Sequence, residues 1–184
     1  MIQYFIGMIC LWLSACAIGP YPIPSESNIH WLYPNLSTEG CPNLDGVYSV
    51  QSGEIYSAYF LMPQVFREQN VFVGSAFFEI KQVDNDLNIK ISNTHQLEKN
   101  IFTKIDGVQL GCANGRLISR YTYSVTGGGE TPGYATLHYQ ETIFTKLPNG
   151  DIGTKRLGGS FRNNADGFRK LADPIRESII RQRK

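Results

Sequence analysis

The sequence is short of charge, of histidine and of cysteine, and each shortage excludes something. Charged residues are 18% of the 184, and 17 Lys and Arg face 16 Asp and Glu, a net of +1. That balance excludes a disordered acidic or basic chain, and it leaves no global basic excess to hold nucleic acid phosphates. The three histidines, His30, His95 and His138, are scattered, with no pair at metal-ligand spacing and no flanking acid. There is no Gly-x-Ser-x-Gly elbow. The Gly127-Gly128-Gly129 run has no following Lys-Ser/Thr, so it reads as a hairpin loop rather than a phosphate cradle. Asp84 and Asp86 lack a downstream glutamate at calcium-loop spacing and read as turn residues. The expectation is no enzyme, no cofactor and no metal, unless residues distant in sequence converge in the fold.

What the chain does have is 42% hydrophobic residues, 12% aromatics, 18 glycines and 9 prolines, a composition that suits a turn-rich β protein. Its length supports one domain of ordinary size.

Met1 to Gly19 contains no charged side chain, and Ile6-Gly7-Met8-Ile9-Cys10-Leu11-Trp12-Leu13 is continuously apolar. The run is too short for a comfortable membrane span but suits the apolar region of a secretory signal. Leu13-Ser14-Ala15-Cys16 follows it. This tetrad resembles the bacterial lipobox, an aliphatic residue and two small ones ahead of the cysteine that receives a diacylglyceryl group. The resemblance implies a signal peptide over residues 1–15, a lipidated Cys16 and palmitate-type acylation. Each buried methylene contributes about 0.8 kcal/mol, so two or three acyl chains hold a protein permanently where one does not. Ala17 is not the Asp that retains such lipoproteins in the inner membrane of enteric bacteria. In a cell with two membranes, the resemblance therefore implies the outer membrane, facing the periplasm. Two other readings stay open: Ala15-Cys16-Ala17 also fits ordinary secretion with cleavage after Ala17, and the apolar run could remain as an uncleaved anchor.

After cleavage, lipidation uses Cys16 and leaves Cys41 and Cys112 as an even pair in an exported protein. An oxidising envelope makes a disulfide the expectation, and neither cysteine has a second ligand at zinc spacing. Closing a loop of about 70 residues stabilises by roughly 4 kcal/mol on the chain-entropy picture.

Residues 16–40 hold the lipidated cysteine and a tether rich in proline, expected to be extended. Within it, His30-Trp31-Leu32-Tyr33 either docks on the domain or binds a partner. The domain, residues 41–184, opens at Cys41-Pro42-Asn43-Leu44-Asp45-Gly46-Val47-Tyr48. Ala76 to Val83, a turn at Asp84-Asn85-Asp86, and Leu87 to Ser92 read as a hairpin whose second arm alternates Leu87, Ile89 and Ile91 with polar residues. Ile101 to Ile105, Asp106-Gly107, and Val108 to Cys112 read as a second hairpin. Asn114-Gly115 and Pro148-Asn149-Gly150-Asp151 mark further turns. The expected fold is all-β, an antiparallel sandwich or barrel of about seven to nine strands. Asp173 as cap, Pro174 at the first position, and Ile175, Ile179 and Ile180 on one face predict a short C-terminal helix. From Arg162 onward seven basic residues face three acidic ones, a charge suited either to anionic headgroups or to a solvated face.

Leu44-Asp45-Gly46-Val47-Tyr48 is similar to the opening strand of lipocalin-like barrels, with Tyr in place of Trp in the Gly-x-Trp motif. Cys-Pro-x-Leu-x-Gly-x-Tyr after a lipobox and proline-rich tether also resembles small bacterial envelope lipoproteins of unassigned function. The resemblances imply attachment to a membrane through the N-terminal lipid and a domain that binds an envelope protein or an apolar ligand. Tyr56, Tyr59, Tyr121, Tyr123, Tyr134 and Tyr139 are candidates to line such a site, or else core and cross-strand residues. The alternative role is structural, as an assembly partner in an envelope complex.

Overall fold

The computed structural model describes residues 21–50, 76–93, 98–127, 133–172 and 176–182. The signal segment, Cys16, Tyr56, Tyr59, His95, Gly128, Gly129, Asp173, Pro174 and Ile175 lie outside the described residues. The strands are β1 (Gly46–Val50), β2 (Ala76–Val83), β3 (Asp86–Asn93), β4 (Glu98–Lys104) and β5 (Leu110–Ala113). They continue as β6 (Arg116–Gly127), β7 (Tyr134–Lys146), β8 (Ile152–Asn164), β9 (Gly167–Ala172) and β10 (Arg176–Gln182). All pairs are antiparallel, on the path β4-β3-β2-β1-β10-β8-β7-β6-β5. The path divides into two sheets, β4-β3-β2-β1 and β10-β8-β7-β6-β5, which meet where Tyr48 and Ser49 pair Gln182 and Arg181. The long β8 uses its first half for β10 and its second half for β9.

Local turn chemistry explains much of this meander. Asp84 at φ 52° closes the β2–β3 hairpin, with Val83 opposite Asp86. Asn114 and Gly115, at φ 53° and 68°, give the β5–β6 turn the left-handed pair that matches strand twist. The turns at 84–85, 114–115 and 148–151 gather at one end of the sheets, here the lower end. The β6–β7 connection and the β8–β9 turn lie at the other, upper end.

The Asp106-Gly107 hairpin does not form. β4 and β5 instead lie at opposite ends of the strand path. Oδ1 of Asp106 accepts from the backbone N–H groups of Val108, Gln109 and Leu110 at 2.7, 2.9 and 3.0 Å, so the side chain competes with a strand ladder and bends the chain across. These bonds hold the Asp106 carboxyl below its ordinary range, although burial alone would raise it. The barrel alternative fails for a related reason. Closure would need β5 to pair β4, but the Cys112 N–H and C=O that face away from β6 exchange bonds with Ser37 at 2.7 and 2.9 Å. The Leu110 carbonyl likewise accepts from Asp106 and Gly107. The free edge of β5 is already satisfied, and among the described residues no sheet closes into a barrel.

The C-terminal helix is also replaced. Arg176–Gln182 is β10, paired to β8 from Arg176 to Ile180 and to β1 through Arg181 and Gln182. Ile179 and Ile180 are β-branched and suit a strand. A place between two strands with unpaired backbone outweighs the helical spacing of the isoleucines.

The inner faces of both sheets share one core, with Leu44, Tyr48, Ile80, Leu87, Ile89, Ile101, Ile105, Leu117, Phe144 and Ile152 all buried. Cys41 packs against it and forms the predicted disulfide with Cys112, across a sequence separation of 71. Tyr48 seals the lower end. Its hydroxyl donates to the Leu44 carbonyl at 2.7 Å and accepts from Lys146 Nζ at 2.6 Å, and the ammonium also lies 5.0 Å from the ring centroid. Burial, then Asp45 and Asp151, push the Tyr48 pKa up to about 12. Burial pulls Lys146 down from its ordinary value. An unfolded tyrosine ionises near pH 10, so the stability held by neutral Tyr48 is complete below pH 10 and is lost as pH rises towards 12. Lys146 acts in the opposite sense, because the penalty on its charge eases as pH rises. Spectrophotometric titration separates the two. One phenol should stay protonated until about pH 12 and vanish from the curve in Tyr48→Phe; a wild-type curve without this late ionisation would refute the assignment.

Residues 21–40 lie along the outer face of β8, β7 and β6, running from the upper end to the lower. Asn163 Nδ2 donates to the Pro22 carbonyl at 3.2 Å, and Thr122 Oγ1 to Glu26 Oε1 at 2.8 Å. Ile29 is buried against Leu137 and Phe161, and Trp31 stands edge-on to Tyr139 with centroids 5.8 Å apart. The Leu32 N–H donates to Glu141 Oε2 at 2.9 Å. Arg120 lies over Trp31, pairs Glu141 at 3.4 Å and donates to the Tyr33 carbonyl. Farther down, Leu36 crosses β5 so closely that a Cβ on Gly111 would sit 2.6 Å from its own Cβ. Of the His30-Trp31-Leu32-Tyr33 group, Trp31 and Tyr33 dock, while the His30 and Leu32 side chains are exposed.

Candidate functional site

β6, β7 and β8 are 12, 13 and 13 residues long, and the apolar core occupies only their lower inner faces. Period-two alternation carries the same face upward from Leu117, Phe144 and Ile152. Above them it presents Ser119, Tyr121, Tyr123 and Val125 on β6. On β7 it presents Thr142, Gln140, His138, Thr136 and Tyr134, and on β8 Thr154, Arg156, Gly158, Ser160 and Arg162. The character changes from aliphatic to aromatic and hydroxyl-bearing within one strand length.

Three rings organise this upper half. Tyr121 and Tyr123 stack with centroids 5.5 Å apart, and Tyr123 stacks on His138 at 4.5 Å with planes only 10° apart. The Tyr123–His138 contact is a directly opposed cross-strand pair. Thr136 and Ser160 are buried beside the rings, and Ser119, Thr142 and Thr154 are buried below them, with Thr154 level with Phe144 of the core. Gln140 Nε2 donates to Thr142 Oγ1 at 3.1 Å. Arg162 Nε donates to Thr136 Oγ1 at 3.3 Å, and its guanidinium lies 5.0 Å over Tyr134. Stacked rings with hydroxyl, amide and imidazole groups at their margins can hold a flat or apolar group and orient it by hydrogen bonds.

The candidate tyrosines separate. Tyr121, Tyr123 and Tyr134 share the inner face, whereas Tyr139 faces outward beneath Trp31. There it begins a second aromatic row, stacking on Phe161 at 5.5 Å, which in turn stacks on Phe168 at 5.6 Å. His138 becomes a site residue only through register. Its sequence signal was the hairpin itself, because pairing Gly127 with Tyr134 places position 123 opposite 138. Asp84 and Asp86 sit at the β2–β3 turn. Among the described residues, no three of His, Cys, Asp and Glu converge as a metal site, and no helix is long and apolar enough to cross a membrane. The basic C-terminal stretch is divided between β9, at the upper half of β8, and β10, which descends to the lower end.

No protein-family profile matches the chain, and a search of curated proteins finds no significant relative.

Proposed function

We propose that the chain is a bacterial envelope lipoprotein, anchored by a diacylglyceryl group on Cys16, whose β domain binds an apolar or planar ligand at the Tyr121–Tyr123–His138 face. In a cell with two membranes it sits on the outer membrane and faces the periplasm. The observation that carries the reading is the Cys41–Cys112 bond. A disulfide that closes a long loop suits an oxidising compartment, and once a signal over residues 1–15 is removed together with Cys10, Cys16 is the one cysteine the bond does not use. Labelled palmitate tests it. The wild-type protein should take up label and Cys16→Ser should take up none. An unmodified mature N-terminus at Ile18, found by mass spectrometry, would replace this reading with ordinary secretion.

A second reading, as an assembly partner, rests on β4. Its outer edge has no partner strand among the described residues, and its Phe102 is 76% exposed. Strand addition by another envelope protein would use that edge. Lipid and protein analysis of the solubilised native preparation distinguishes the two.

A further inference from the structure

The docked course of residues 21–40 fixes where the chain leaves the domain. Pro22 is tied to Asn163 near the end of β8, and Tyr21 lies against Gly133 at the start of β7, both at the upper end. Only five residue steps separate Tyr21 from Cys16. Fully extended they span at most about 18 Å. A lipid on Cys16 therefore cannot let the domain stand away from the bilayer, and the upper end of β8 and β9 has to lie within that reach of the surface.

The side chains there suit such a place. Ile23 and Phe168 flank the Asn163–Pro22 contact and are 51% and 52% exposed. Lys170 is exposed beside them on the same outer face, while Arg169, opposite Arg162, is exposed on the inner face of the same strand. Arg169 spends part of its charge on Asp166 at 3.1 Å, while Lys170 leans towards the Phe161 ring at 5.9 Å. Apolar side chains beside cations form a surface that a headgroup layer accepts, with each basic residue near an anionic leaflet contributing about 1 kcal/mol. We propose that this patch, Ile23, Phe168 and Lys170, rests on an anionic phospholipid surface, so that the upper rim of the sheets faces the membrane. The inference rests on the lipoprotein reading and deepens it, because it places the Tyr121–Tyr123–His138 face in the half of the domain nearest the lipid.

The test uses the purified full-length mature protein in vesicles of phosphatidylglycerol and phosphatidylcholine, part of the lipid carrying bromine in its acyl chains. Phe168→Trp adds an indole at the patch, and Phe102→Trp adds one toward the lower end of β4. Emission above that of the parent should be quenched in the first variant and unaffected in the second. The quenching should weaken when phosphatidylglycerol is left out or when Lys170→Glu is added. Palmitate-labelled protein that stays with the vesicles and shows no quenching at position 168 overturns the placement alone. Protein that takes up no palmitate overturns the lipoprotein reading and this placement with it.

Discussion

Replacing both Cys41 and Cys112 by serine should lower the unfolding free energy by about 4 kcal/mol. The bond closes a separation of 71 residues and restricts the unfolded chain more than a short loop would. In a domain whose total stability is of order 5–15 kcal/mol, such a loss moves the urea midpoint by a large part of its value. The bond also holds the start of the domain against β5, where Ser37 pairs Cys112 and Leu36 covers Gly111. Reduction of the wild-type protein should give the same shift as the double substitution. A change below about 1 kcal/mol in both would mean that this link does little to restrict the unfolded chain.

The second large effect is expected at Glu141. Its carboxylate is buried on the outer face of β7, accepts from the Leu32 N–H and pairs Arg120, whose side chain is only 12% exposed. Glu141→Ala leaves the Arg120 guanidinium over Trp31 without its counter-charge, and breaking one side of a buried pair costs about 3–5 kcal/mol. Glu141→Gln keeps an acceptor for Leu32 and should lose less. Because the carboxylate ties residues 21–40 to the sheet, limited proteolysis should cut that stretch in Glu141→Ala before the strands are attacked. Equal stability in the alanine variant and the parent, with the same digestion pattern, would show that the outer contact is incidental.

Much of the architecture was legible because it is local. Leu87, Ile89 and Ile91 alternate with polar residues, and Asn114-Gly115 has the chemistry of a tight turn, so two hairpins followed directly. The disulfide was legible by count, since only one pair remained once Cys10 was assigned to the signal and Cys16 to the lipid. What stayed hidden depends on distant partners. Asp106-Gly107 reads like Asn114-Gly115, yet its carboxylate collects three backbone N–H groups and turns the chain towards the other sheet. Ile175, Ile179 and Ile180 have helical spacing, but the unpaired backbone between β8 and β1 is formed by residues more than twenty positions away. The site was half legible. The tyrosines were visible as a group, but only register divides Tyr121 and Tyr123 from Tyr139 and brings His138 against Tyr123.

The outer course of residues 21–40 has a mechanical consequence. Tension arriving from the N-terminus would meet the contacts one after another, at Asn163, then Thr122, then the Trp31 and Glu141 group, and each would yield separately. At Cys41 the load would pass through a covalent bond into β5, and Leu44 and β1 would be shielded. The strap would work as a shock absorber, giving way in steps while the sheets behind it stay folded.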